Sequence, residues 1–149
     1  MKITRVEIFD IQLPLRRLSW TPVLLRIRTD EGISGIGELA LAYGVGNYGG
    51  QGMLRNMAER FLLGADPFRI EEMWDRLFRK TFWGQGGGPV VYGGISAIDE
   101  ALWDIKGKAL GVPVFELLGG ACWEKLRVYA NAWYEGCNSR RAMPRPRSR

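Results

Sequence analysis

The sequence has no histidine and only two cysteines among its 149 residues. Without histidine, none of these residues can supply an imidazole as a general base or a metal ligand. Cys122 and Cys137 lack the close spacing of a zinc-binding pair, which argues against a zinc site and favours a reducing, cytoplasmic compartment. No apolar run approaches the roughly 18 residues of a membrane-spanning helix, so we expect no membrane partner.

Acidic residues are absent from the C-terminal segment Asn138–Arg149, which holds five arginines. Removing those five from the 21 basic residues leaves 16, against 16 acidic residues, so the rest of the chain is neutral. The net charge of +5 therefore belongs to this basic tail. The tail has no aromatic residue to stack on a base, and no basic stripe precedes it, so we expect no nucleic-acid partner.

The first 40 residues have the pattern of strands. Ile3–Leu13 alternates polar and apolar residues from the N-terminus, which predicts a strand, not a signal peptide. Residues 23–28 alternate in the same way, Asp30–Gly32 has the composition of a turn, and Ile33–Leu39 predicts a third strand. We expect a three-stranded antiparallel meander, which needs helices against one face to form a core.

Helical spacing follows the strands. Apolar residues recur over Met53–Leu62, and Asp66 is expected to cap a second helix that has Pro67 at its first position. The expected apolar face of that second helix is formed by Ile70, Met73, Trp74, Leu77 and Phe78.

The strongest helical pattern extends from about Gly94 to Leu110 and is expected to stop at Gly111. Pro113 can then open a short helix that ends at Leu118, and Leu126–Trp133 predicts one more strand. The fold class expected from this order is α+β, a meander followed by a helical bundle.

Three motifs carry a resemblance to a known family. The segment ISAIDEALWDIKGKALGVPVFELLGG at 95–120, the hairpin end Gly35-Ile36-Gly37-Glu38 and the glycine run from Phe82-Trp83 to Pro89 resemble the mandelate racemase/muconate lactonizing branch of the enolase superfamily. More narrowly, they are similar to its acid-sugar dehydratases, such as those acting on galactonate or gluconate. The resemblance covers roughly residues 1–137.

The resemblance implies that residues 1–120 form a capping domain, which in the family sits over a TIM-type barrel. Residues 121–137 would then be a linker and the first barrel strand. Residues 138–149 resemble nothing in the family and are expected to be a disordered basic tail. In the family, later barrel strands carry the general bases and the carboxylate ligands of Mg²⁺. The bases remove a proton beside the substrate carboxylate, and a hydroxyl then leaves. We therefore expect this chain to bind no metal and to be inactive alone, whereas the parent enzyme would act on a sugar acid as a homo-oligomer.

Two loops are candidates for substrate contact, because cap loops close over the barrel mouth in this branch. Each lies between predicted elements, and both have side chains suited to a polyhydroxy acid. The candidates in the first loop, Leu15–Trp20, are Arg16, Arg17, Ser19 and Trp20, and those in the second are Tyr43, Asn47 and Tyr48. Trp83 is expected to face the barrel mouth, and Trp133, Tyr134 and Glu135 end the predicted barrel strand.

Other polar groups have simpler explanations. Lys106 and Lys108 have the Lys-x-Lys form of the family's base motif, but they fall near the end of a helix, where cations are favourable. Glu100 and Asp104 share a helix face without a marked third metal ligand, so salt bridges or a solvated face are expected. For Glu38, at the end of a predicted strand, a structural hydrogen-bonding role is favoured over a role in a functional site.

The abrupt change at Asn138 leaves two explanations open. One is a broken reading frame, since Arg, Pro, Ala and Ser are what out-of-frame translation of GC-rich DNA produces. The other is a genuine short protein whose tail is an interaction arm. The functional alternatives are a cap of a racemase or cycloisomerase in the same superfamily, and a non-catalytic binding module that complements a separate barrel chain.

Overall fold

The computed structural model describes residues 1–11, 21–39, 41 and 46–129. A three-stranded antiparallel sheet contains β1 (Ile3–Asp10), β2 (Val23–Thr29) and β3 (Ser34–Leu39), in the order β1-β2-β3. Helices cover one face of this sheet, so the predicted α+β class and the predicted meander are confirmed. The expected end of the first strand, near Leu13, lies outside the described residues.

The strand β2 shows how alternation produces a two-faced sheet. Val23, Leu25 and Ile27 are buried with Thr29, whereas the residues between them face the other side. The hairpin turn to β3 is closed by Thr29, whose backbone N–H and hydroxyl both donate to the carbonyl of Ile33 at 3.0 and 2.8 Å. Gly32 adopts a φ of 80° in this turn, a conformation that favours glycine.

The helix α1 (Asn47–Met57) continues directly into a π-helical segment, Ala58–Leu62. Leu54, Met57 and Leu62 of these two elements are fully buried. The apolar residues that predicted a helix therefore do form one continuous helical stretch, with a wider final turn.

The second helix begins later than predicted. The helix α2 spans Ile70–Arg79, and its preceding residue is Arg69, so the prediction of Asp66 as its cap is wrong. The Asp66 carboxylate accepts a hydrogen bond from the Phe68 backbone N–H at 2.9 Å, which forms a separate turn. A ψ of 57° at Arg69 then interrupts the helical conformation. Trp74 is exposed instead of buried, and it stacks on Phe78 with 5.0 Å between ring centroids.

The third helix, α3 (Gly88–Leu110), begins before the expected start near Gly94 because Pro89 sits in its first turn, where no N–H is needed. It ends at Gly111 in the left-handed conformation, with φ of 69°, as predicted. The short helix α4 (Val114–Leu117) follows Pro113, also as predicted. A 3-10 turn at Gly84–Gly86 links α2 to α3.

Residues Leu126–Tyr129 form no strand and are largely exposed, and the remainder of that predicted strand lies outside the described residues. A strand requires a neighbour for its backbone hydrogen bonds, and no described strand pairs with these residues. Within the described part of the chain, no helix is both long and apolar enough to cross a membrane.

The helix α3 packs closely on β3 at two glycines. A Cβ atom at Gly35 would lie 1.9 Å from the carbonyl oxygen of Ala101, and one at Gly37 would lie 1.9 Å from that of Ala97. The helix therefore rests directly on the strand backbone, with Ile98 and Ile105 fully buried beside it. The glycines of the hairpin end quoted above are required by this contact.

Candidate functional site

Both predicted substrate loops leave the same end of the sheet. In the antiparallel meander, the C-terminal ends of β1 and β3 and the N-terminal end of β2 lie together. The base of the first loop is closed by the Ile11 backbone N–H, which donates to the Pro22 carbonyl at 3.0 Å. Of the predicted contact residues in these loops, Arg16, Arg17, Ser19, Trp20 and Tyr43 lie outside the described residues.

Asn47 connects the two loops. Its Nδ2 donates to the backbone carbonyl of Thr21 at 2.9 Å and to the Thr21 hydroxyl at 2.8 Å. Thr21 follows the first loop, and Asn47 ends the second and begins α1, so this side chain holds the ends of both loops together. Its Oδ1 is buried and has no hydrogen-bond partner among the described residues. Tyr48, the next residue, is 79% exposed.

Trp83 lies in a separate place. It is 71% exposed and packs edge-on against Phe82, with 5.0 Å between ring centroids. Phe82 has a φ of 32°, in the left-handed region that a bulky residue rarely adopts, and is itself 86% exposed. A strained backbone conformation of this kind costs free energy and is often found at functional positions.

Phe82 and Trp83 border a cleft of about 350 Å³ between α1, the π-helical segment and the start of α3. Two cationic side chains, Arg60 and Lys80, share the cleft with apolar groups, a combination that suits a small carboxylate with an apolar edge. Neither Asn47 nor Tyr48 is part of its lining. The lining residues are Met53, Asn56, Met57, Arg60, Phe61, Lys80, Thr81, Phe82, Trp83 and Val91.

The direction of α3 relates the cleft to the loops. Gly35 contacts Ala101 and Gly37 contacts Ala97, so α3 runs antiparallel to β3. The N-terminal part of α3 therefore lies toward the sheet end from which both loops leave. Trp83 precedes that terminus closely in the chain, which places the cleft toward the same end of the domain.

The carboxylates on α3 have structural partners. Glu100 accepts a hydrogen bond from the Glu38 backbone N–H at 2.9 Å, and Asp104 accepts one from the Ile36 N–H at 3.0 Å. The Glu38 side chain is exposed and its backbone N–H makes this contact, so the structural role expected of the side chain stays a prediction. Burial raises the pKa of the neighbouring Asp99 carboxyl, and the charges of Glu71 and Glu100 raise it further.

The lysines of the Lys-x-Lys sequence lie on the helix, as predicted. Lys108 Nζ donates to the Ser34 carbonyl at 2.9 Å and pairs with Asp104 at 2.6 Å. Lys106 Nζ lies 5.1 Å from the centre of the Trp103 ring. Both cations therefore make contacts within the fold.

An ionic cluster on the exposed face of the sheet was not predicted from the sequence. Glu7 accepts hydrogen bonds from Arg26 Nε at 2.7 Å and Arg28 Nε at 2.8 Å, and Arg5 Nε lies 3.5 Å from its other oxygen. The hydrogen bonds from Arg26 and then Arg28 lower the pKa of Glu7 to about 2. Strand alternation puts these residues on one face, but their pairing depends on the register between β1 and β2.

Comparison with known proteins gives consistent matches. The family model for the mandelate racemase/muconate lactonizing enzyme N-terminal domain matches residues 16–119. A D-galactonate dehydratase from Ralstonia pickettii is 40% identical over 142 residues, covering 91% of this chain and 32% of that protein. A D-galactonate dehydratase family member from Pseudarthrobacter chlorophenolicus is 42% identical over 135 residues, covering 89% of this chain and 30% of that protein.

The fold comparison agrees with the sequence matches. The crystal structure of an enolase superfamily member from Salmonella Typhimurium superposes with a TM-score of 0.81 at 50% identity, covering 87% of this chain and 32% of that chain. The chain thus spans about a third of the length of the curated relatives it matches. The chain belongs to the mandelate racemase/muconate lactonizing enzyme family of the enolase superfamily, and residues 16–119 correspond to its N-terminal domain.

Proposed function

We propose that residues 1–120 act as the substrate-capping domain of a Mg²⁺-dependent acid-sugar dehydratase, with a linker and the first barrel strand at 121–137. The reaction class is removal of a proton beside a carboxylate, followed by loss of water. Support comes from relatives named D-galactonate dehydratase that match about nine-tenths of this chain. The observation that carries the capping role is the Asn47 side chain, which joins the ends of two loops at one end of the sheet.

In this proposal the two loops close over the substrate from the same side. Arg16 and Arg17 would pair with the acid, Ser19 and Tyr43 would bind hydroxyl groups, and Trp20 would cover an apolar edge. The hydrogen bonds from Asn47 to Thr21 would keep the ends of the two loops next to each other at one end of the sheet.

Three further contacts belong to the proposal. Tyr48 and Trp83, both exposed at or toward the loop end, would add aromatic contacts at the rim of the substrate site. The segment Trp133-Tyr134-Glu135, outside the described residues, would reach the site from the first barrel strand.

The metal does not fit the described part of the chain. Among residues 1–11, 21–39, 41 and 46–129, no group of three or more histidine, cysteine, aspartate or glutamate side chains could hold a metal ion. Glu100 and Asp104 already accept hydrogen bonds from β3. The role proposed for these residues is therefore to bind and enclose the substrate, and it includes no step through a metal.

A chimera tests this function. Residues 1–129 of this chain would replace the matching N-terminal third of the Ralstonia pickettii D-galactonate dehydratase, and dehydration of D-galactonate would be measured in the presence of Mg²⁺. We expect an active chimera, because the replaced parts are 40% identical and the cap would meet the same barrel. A chimera that folds and keeps its Mg²⁺ but has no activity would contradict the proposal.

Loop variants of the chimera test the assigned contacts. Arg17→Ala should raise KM by roughly 10- to 100-fold, the effect of losing a hydrogen bond to a charged group. Arg69→Ala is the matched control, since Arg69 pairs with Glu72 on α2, away from both loops. Equal KM values for Arg17→Ala, Arg16→Ala and the control would contradict the substrate contacts.

A further inference from the structure

The strand β3 is an edge strand of the sheet, because β2 is the one described strand that pairs with it. Successive N–H and C=O groups of a strand point to opposite sides, so alternate residues of β3 face away from β2. The outward-facing groups are those of Ser34, Ile36 and Glu38. An uncovered edge of this kind is a template for another strand, and Ile36 adds an apolar side chain that is 51% exposed.

Three side chains of α3 form hydrogen bonds with these outward-facing backbone groups of β3, one after another along the strand. Glu100 accepts from the Glu38 N–H at 2.9 Å, Asp104 accepts from the Ile36 N–H at 3.0 Å, and Lys108 donates to the Ser34 carbonyl at 2.9 Å. The three side chains are four residues apart on the helix, while their partners are two residues apart on the strand. Four helical residues rise about 6 Å and two strand residues about 6.6 Å, so the register holds over all three contacts.

Two features of the packing support this arrangement. Gly35 and Gly37 let the helix backbone approach the strand closely enough for a short aspartate side chain to reach it. Lys108 also pairs with Asp104 at 2.6 Å, and the Ser96 hydroxyl donates to Glu100 at 3.2 Å, so the carboxylates are themselves held in position.

We propose that Glu100, Asp104 and Lys108 close the edge of β3 against strand addition by a second copy of this chain. They occupy the hydrogen-bonding positions that an added strand would use. The excluded partner is β3 of the second copy, because two identical edges can pair antiparallel about a twofold axis. The lysine and carboxylates thus protect the outward-facing backbone groups of the edge strand β3.

Amide hydrogen exchange of the full chain tests the closure residue by residue. Glu100→Ala should speed exchange at the Glu38 amide by about tenfold, because its hydrogen bond to a charged acceptor is lost. The Gly37 amide, which faces β2, should keep its protection and shows that the sheet is still folded. Glu100→Gln should retain most of the protection, since its side-chain carbonyl can still accept the bond.

Association of the chain tests the consequence. The triple variant Glu100→Ala, Asp104→Ala and Lys108→Ala should form more dimer than the parent at equal concentration in analytical ultracentrifugation. Adding Ile36→Pro, which removes the outward N–H without touching the pairing to β2, should reverse that increase. The proposal is overturned if Glu38 exchange is unchanged in Glu100→Ala, if the triple variant associates no more than the parent, or if the proline has no effect.

Discussion

A methyl group at Gly37 is expected to damage the fold more than its size suggests. The added Cβ would lie 1.9 Å from the Ala97 carbonyl oxygen, whereas ordinary contact begins at 3.4 Å. Gly37 does not adopt a left-handed backbone, so the cost of Gly37→Ala comes from the steric clash and includes no backbone strain. The atoms that collide belong to the strand and to the helix backbone, so no side-chain rotation can relieve the clash.

The magnitude follows from the movement that the clash requires. The helix α3 must move by about 1.5 Å from β3, which opens gaps around buried neighbours such as Ile98 and Leu25. Overpacking commonly costs about 1–3 kcal/mol. We expect the upper end, about 3 kcal/mol, because backbone meets backbone. For a chain of this size, that corresponds to a decrease in Tm of roughly 10 °C.

Thermal unfolding followed by circular dichroism measures this effect, with Gly52→Ala as the matched control. Gly52 lies in α1, and its added Cβ would meet nothing within 4 Å. Alanine there should stabilise the chain by about 0.5–1 kcal/mol, because glycine is a poor helix former. The two identical substitutions should therefore change Tm in opposite directions. A Gly37→Ala protein that melts within about 2 °C of the parent would refute the reasoning.

Two more substitutions, Glu7→Gln and Asn47→Ala, are expected to lower the stability of the fold. Glu7, with its pKa lowered to about 2 from 4.5, contributes stability that is present above pH 4.5 and is lost as the pH falls toward 2. The urea midpoint of Glu7→Gln should thus lie below that of the parent at pH 7, and the difference between the two midpoints should be smaller when measured at about pH 2.5. A difference that does not change with pH would contradict the pairing of Glu7 with Arg26. Asn47→Ala should lower stability by about 1–2 kcal/mol by removing two bonds to Thr21. Asn56→Ala, which removes only a contact within the exposed part of α1, should have a smaller effect in the same thermal melts.

Local patterns in the sequence predicted the elements whose signals are themselves local. Alternation placed Val23, Leu25 and Ile27 on the buried face, and the left-handed Gly111 ended α3 where it was expected. The cap at Asp66 was wrong because an aspartate can satisfy a turn as well as a helix, and only the backbone angle at Arg69 separates the two outcomes. Trp74 was assigned to the apolar face of the second helix because helical spacing cannot show how much of that face other elements cover, and Trp74 is exposed.

Contacts between segments that are far apart in the chain could not be predicted from the sequence. Glu100 and Asp104 lie 62 and 68 residues from the backbone groups that they bind, and helical spacing alone assigned them to a solvated face or to salt bridges. The same limit applies to the ionic cluster around Glu7, which depends on strand register. At the candidate site, the family resemblance selected the two loops, but the bond from Asn47 to Thr21 became visible only in three dimensions.

We have proposed that this domain encloses the substrate of an acid-sugar dehydratase. The most direct measurement is a crystal structure of the chimera with the Ralstonia pickettii barrel, Mg²⁺ and a bound, unreactive sugar acid. We expect side chains from residues 15–20 and 43–48 to lie within hydrogen-bonding distance of the ligand, with Asn47 still bonded to Thr21. A structure in which the ligand is bound and no atom of residues 1–129 contacts it would contradict the proposed function.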